Sequence, residues 1–115
     1  MDIAKFSEIA SALANENRVK IMSFIAEHGE QCAQGLLEHF HFSQPTMSQH
    51  IRVLRQSQLL IMRKEGRWQF FAINTALLNE FNAFIKTRMI DPISLEDLNP
   101  AFVNRLKFDY QKKSK

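Results

Sequence analysis

The sequence predicts a mainly α fold with a single β-hairpin wing, and three observations predict it. Apolar residues recur at three-and-four spacing through most of the chain. That rhythm gives way once to two β-prone runs around Gly66, and the basic side chains gather where the two patterns meet. At 115 residues and 45% hydrophobic composition, the chain holds enough apolar material for one modest core. A domain of this size leaves much apolar surface uncovered, so a dimer is expected.

The elements follow in order. Ile3, Phe6, Ile9, Ala10 and Leu13 line one face of a first helix. Asn15 or Asn17 caps a second, whose Val19, Ile21, Met22 and Ile25 face inward before Gly29 ends it. A short third helix runs from about Cys32 to Phe40, with Leu36, Leu37 and Phe40 inward. Ser43 is an N-cap for the segment Gln44 to Gln58, and Pro45 suits its first turn, where an N–H has no intrahelical partner. Met47, Ile51 and Leu54 recur at i, i+4, i+7 and pack inward, which leaves a polar and basic outer face.

Leu60 to Lys64 and Trp68 to Ile73 then read as strands joined by Glu65-Gly66-Arg67. Trp68, Phe70 and Phe71 are expected to pack under this hairpin. Asn74 caps a long helix reaching Ile90, with Leu77, Leu78, Phe81, Phe84, Ile85 and Met89 on its apolar face. Residues 1–90 are expected to form the domain and 91–115 an extension, helical from about Asn99-Pro100 with Val103, Leu106 and Tyr110 on one side.

Charge sharpens the reading. Residues 1–42 hold three basic and six acidic side chains, while residues 43–73 hold five basic ones, Arg52, Arg55, Arg63, Lys64 and Arg67, against Glu65 alone. Such an excess is either an electrostatic footprint for a polyanion or a solvated face. No uninterrupted apolar run exceeds four residues, as in Leu59 to Met62, far below the ~18 a membrane helix needs. The start Met1-Asp2-Ile3-Ala4-Lys5 lacks the pattern of a secretory signal, and the single cysteine, Cys32, suits a reducing compartment; a cytoplasmic location is expected. With no glycine-rich phosphate loop, no thiolate pair and no nucleophile beside a base, an enzyme is not expected.

Three helices, a polar-faced helix, a basic hairpin and another helix make the order of a winged helix-turn-helix. The major groove of B-DNA admits one α-helix, and a projecting hairpin can lie beside it. Three blocks carry a more specific resemblance: Ala12-Leu13-Ala14-Asn15-Glu16-Asn17-Arg18-Val19-Lys20-Ile21, then Ser43 through Arg55, then Arg63-Lys64-Glu65-Gly66-Arg67. Over roughly Leu13 to Asn74 the chain resembles the ArsR/SmtB family of bacterial arsenical repressors and metal sensors. The resemblance implies a sequence-specific regulator, a repressor that occupies an imperfect inverted-repeat operator in double-stranded DNA as a homodimer. It further implies that Gln44, Pro45, Thr46, Ser48 and Gln49, entered through Ser43, face the groove, with Arg52 and Arg55 near the backbone.

Arg63, Lys64 and Arg67 would supply phosphate affinity from the wing. His50 lies within the same helix, either beside DNA or half-buried. Two departures stand out: Pro45 where the family often has serine, and Gln58 where it usually has glycine, so that a different local turn is expected there. Phe6, Ile9, Leu77, Phe81, Phe84 and Ile85 are assigned to the subunit interface.

Metal and cofactor sites are not expected. The stretch around Cys32 resembles the family's thiolate site, but the position two residues on is Gln34. His28, His39 and His41 have no spacing that promises coordination with that thiol. The segment Thr75 to Ile90 contains neither histidine nor aspartate, which the family's other site requires. The alternative to DNA binding is the same fold used as a protein interaction module; acidic residues in the polar-faced helix would favour it, and none are there.

Overall fold

The computed structural model describes residues 1–93, 97–102 and 105. Its backbone groups into two units, Met1–Asn82 and Ala83–Lys115. In the first, α1 (Ile3–Leu13) and α2 (Glu16–His28) are followed by β1 (Gln31–Cys32), α3 (Ala33–His39), α4 (Gln44–Gln56), β2 (Leu60–Glu65) and β3 (Trp68–Ile73). Helix α5 (Thr75–Ile85) begins in this unit and ends in the other.

Side-chain caps set the helix starts. Asp2, Asn15 and Ser43 accept the backbone N–H groups of Lys5, Arg18 and Thr46, and Asn74 accepts that of Leu77 at 3.2 Å. Asn15, rather than Asn17, therefore opens α2. Gly29, at φ 84°, closes it. Arg18 reaches back from the first turn of α2 to the end of α1, its Nε donating to the Ala12 carbonyl at 2.6 Å. This satisfies a carbonyl that the finished helix leaves unpaired.

The core is one cluster: Ile9 and Ala12 of α1, Ile21, Met22 and Ile25 of α2, Leu36 of α3, Met47, Ile51 and Leu54 of α4, with Leu59, Leu60, Phe71 and Leu77. Burying a leucine or isoleucine side chain contributes about 1.5–3 kcal/mol, so these residues dominate the fold's stability. The sheet has three strands in the order β1-β3-β2, all antiparallel. The hairpin was expected; the two-residue strand β1, pairing Gln31 with Phe71 and Cys32 with Phe70, was not.

The end of α4 is stitched to its surroundings. Gln58 adopts the left-handed conformation itself, at φ 68°, so the different turn expected from the missing glycine is not formed. Its carbonyl accepts from Asn74 Nδ2 at 2.9 Å, and the preceding Ser57 carbonyl accepts from Lys5 Nζ at 3.0 Å. Because a residue with a Cβ is strained at positive φ, Gln58→Gly should raise the unfolding free energy by about 1 kcal/mol. A urea titration checks this; no gain in midpoint would show that the strain is offset by the side chain.

In the unit from Ala83 onward, the predicted long helix changes form. Regular α geometry stops at Ile85, and Lys86–Ile90 forms a π-helical turn in which Asp91 N–H donates to the Lys86 carbonyl at 2.7 Å. Residues 100–102 are helical and Asn99 Oδ1 accepts from Ala101 N–H, whereas Val103, Leu106 and Tyr110 lie outside the described residues.

Candidate nucleic-acid interface

Helix α4 presents two faces. Met47, His50, Ile51 and Leu54 are buried, and Gln44, Pro45, Thr46, Ser48, Gln49, Arg52 and Arg55 are all exposed. Ser43 is exposed too, but its hydroxyl is occupied: it caps Thr46 N–H at 3.3 Å and donates to Thr46 Oγ1 at 2.9 Å. The turn before α4 is held by aromatic contacts, Phe40 stacking on Phe42 at 5.4 Å and Phe42 meeting His50 at 5.6 Å. The helix is thus fixed at its entry, along its inner face and at its exit.

Of the two places the sequence leaves open for His50, beside DNA or half-buried, the structure gives burial and takes it off the DNA-facing set. His50 is only 8% exposed, and its Nδ1 is buried without a hydrogen-bond partner among the described residues. Burial, together with the nearby positive charge of Arg18, holds its imidazole below the usual histidine range, which favours the neutral ring.

In the wing, residues paired directly across β2 and β3 share a face. Leu60, Met62, Phe71 and Ile73 turn toward the core, and the same face continues to Lys64 opposite Gln69. The other face carries Arg63 opposite Phe70 and Glu65 opposite Trp68. Gly66, at φ 60°, makes the two-residue turn with Arg67. Trp68 is 51% exposed with the Arg67 guanidinium 5.8 Å from its ring, so of the three aromatics expected beneath the hairpin only Phe71 is fully buried.

The basic residues separate into two groups. Within Met1–Asn82, Lys5 and Lys20 pair with Glu8 and Glu16, and Arg18 holds backbone carbonyls. Arg63 donates through Nε to Glu30 Oε2 at 2.9 Å and through Nη1 to Glu65 Oε2 at 2.9 Å, pairs through Nη2 with Glu30 Oε1, and lies 4.5 Å over the Phe70 ring. Its pKa is raised by the hydrogen bonds it donates to Glu30 and then Glu65, while the Glu30 carboxyl is held below its ordinary value chiefly by the hydrogen bond it accepts from Arg63. Arg63 is therefore neutralised locally, unlike the other wing cations with which the sequence grouped it. Arg52, Arg55, Lys64 and Arg67 have no acidic partner among the described residues. All four lie on the outer face of α4 or on the wing.

The assigned interface residues also divide. Ile9 is 0% exposed and Leu77 is buried, both within the protomer's own core, which leaves neither free to meet a partner. Phe6 and Phe81 are half-buried and stacked on each other at 4.6 Å. Ile85 is half-buried, and Phe84 is buried beneath the Arg88 guanidinium, 5.2 Å from its ring.

Cys32 is half-buried, and its Sγ accepts the Gly35 N–H at 3.4 Å as the N-cap of α3. His39 stacks on Phe24 at 4.0 Å and His28 lies 4.3 Å from the same ring. Among the described residues, no group of three or more histidine, cysteine, aspartate or glutamate side chains is placed to hold a metal ion. No helix among them is long and apolar enough to cross a membrane.

Comparison with known proteins points the same way. The model of the family described as "Bacterial regulatory protein, arsR family" matches residues 15–61. The arsenical resistance operon repressor of Staphylococcus aureus is 38% identical over 80 residues, covering 70% of this chain and 76% of that protein. Among solved structures, an ArsR-like transcriptional regulator from Rhodococcus sp. RHA1 superposes with a TM-score of 0.71 at 20% identity, covering 94% of this chain and 92% of that one. A homodimeric winged helix-turn-helix DNA-binding domain from Mycobacterium bovis, a possible ArsR-family transcriptional regulator, gives a TM-score of 0.63 at 23% identity over 70% and 75% of the two chains.

Proposed function

Because the chain belongs to the arsR family of bacterial regulatory proteins and is thereby a DNA-binding transcriptional regulator, we propose that it works in the cytoplasm as a homodimeric repressor of an inverted-repeat operator. One observation carries the placement of DNA: apart from Arg18, whose guanidinium is engaged by backbone carbonyls, the cations of the first unit without an acidic partner among the described residues, Arg52, Arg55, Lys64 and Arg67, all lie on α4 and the wing. Exposed cations with no local acid are the groups that exchange counterions for phosphates. Helix α4 would enter the major groove, with Gln44 and Gln49 as readers, since a carboxamide can pair with adenine N6 and N7. A two-fold dimer would present its two α4 helices about one helical turn apart, roughly 34 Å. The homodimeric state named for the Mycobacterium bovis domain supports that arrangement, with Phe6 of α1 and Phe81 of α5 toward the partner.

Sequencing the genomic fragments retained by purified protein should recover one operator class containing an imperfect inverted repeat. On that operator Gln49→Ala should cost about 1–3 kcal/mol, with little change on random duplex. Lys64→Ala and Arg67→Ala should weaken both duplexes and each lower the salt slope by about one, whereas Arg63→Ala should change the slope less. Equal losses on both duplexes for Gln49→Ala would remove the readout role from α4.

The thiolate site that the family resemblance implies is incomplete in this chain. With one thiol per chain, engaged in capping α3, and Gln34 two residues on, Cys32 acts in our reading as a structural residue. Elemental analysis after loading with arsenite or zinc and desalting should find no stoichiometric metal. One equivalent per subunit, lost in Cys32→Ser, would reverse that reading.

A further inference from the structure

Between α4 and β3 lies an open cleft of about 440 Å³ whose role the outer face of α4 alone does not explain. Its rim carries Arg52, Arg55 and Gln56 from α4 and Gln69 from β3, and its floor includes Ile51 and Phe71. No lining residue is acidic, and both guanidinium groups lack an ion-pair partner among the described residues.

Resting on the DNA-binding reading above, we infer that this cleft seats a sugar–phosphate unit of the one DNA strand that passes between the recognition helix and the wing. In B-DNA a single backbone divides each major groove from the neighbouring minor groove. A protein with a helix in the first and a hairpin beside the second must straddle that backbone, and the space between α4 and β3 is where it would run. The chemistry of the cleft matches such an occupant. Guanidinium and carboxamide donors at the rim, with no carboxylate among the lining residues, suit a phosphodiester.

Strand register assigns the wing's partners in this seat. Gln69 and, directly opposite it across the hairpin, Lys64 project from the face that looks to α4, and Arg63 projects from the reverse face toward Glu30. The seat therefore gives Gln69 a role that neither its type nor its position in the sequence signals. It also explains why Arg63 can be tied to carboxylates without loss to this contact.

Single methylphosphonate substitutions, each removing one backbone charge, should be scanned along one operator half-site against wild type, Gln69→Ala and Arg55→Ala. At one or two adjacent phosphates on the dividing strand, neutralisation should weaken wild type about tenfold, yet weaken each variant no more than about twofold. The variants should keep wild-type melting temperatures, since both side chains are exposed. An undiminished tenfold loss in both variants, or no sensitive phosphate on that strand, overturns the seat while operator binding itself stands. Wild-type protein that prefers no sequence overturns the parent reading and the seat with it. A saturable shift of the Gln69 amide resonances on adding low-millimolar orthophosphate to DNA-free protein would assign the cleft to a free oxyanion instead, and would also overturn the proposal.

Discussion

Leu54→Ala should lower the unfolding free energy by about 3 kcal/mol, the largest stability loss expected from truncating one side chain of the recognition helix. Leu54 is fully buried in the core cluster and sits on α4 between the exposed Arg52 and Arg55. Removing its three distal carbons forfeits their transfer free energy and leaves a cavity that a helix pinned at both ends cannot collapse to fill. Single domains are stable by only about 5–15 kcal/mol, so the melting temperature should fall by roughly 10 °C or more. Arg55→Ala, one residue along, should leave stability within about 0.5 kcal/mol and weaken DNA binding instead. Denaturant titration of the two variants side by side separates the roles. A Leu54→Ala loss below about 1 kcal/mol would mean that α4 relaxes inward, and that its outer face is not rigidly held.

Phe81→Glu should abolish the dimer at micromolar concentration while leaving a folded monomer. Phe81 is half-buried and stacks on Phe6 within its own protomer, and the proposed interface places it against a second subunit. A carboxylate there loses the aromatic contact inside the protomer, a penalty of about 1 kcal/mol. Across the proposed interface it would be desolvated without a partner, at a cost of several kcal/mol. Operator affinity should drop with it, because one half-site no longer raises the effective concentration of the protein at the other. Sedimentation velocity decides the association and circular dichroism the fold. Phe81→Leu, which keeps an apolar group, should remain dimeric. An unchanged dimer in Phe81→Glu would take α5 out of the interface.

Local chemistry was enough to read most elements from the sequence. Asn15, Ser43 and Asn74 announced helix starts, Gly29 an end, and the spacing of Met47, Ile51 and Leu54 the inner face of α4, because caps and period are properties of residues within a few positions of one another. Other features depended on partners distant in the chain. Period two in Trp68 to Ile73 requires alternation but does not by itself settle which parity faces the core; pairing with β2 does, and it turns Phe71 inward and Trp68 outward. His50 sits beside Ile51 on the apolar stripe, so its burial was partly legible, yet a histidine there is equally at home near DNA until Phe42 and the core close over it. Two residues cannot announce a strand, and β1 exists only because β3 offers it an unpaired edge. Arg63 was read as a wing cation by its neighbours in sequence, and it meets Glu30 33 positions earlier because the fold brings the wing to the end of α2. Charges report their sign in a sequence, but whether that sign is free to meet a phosphate depends on which carboxylate the tertiary structure has set beside it.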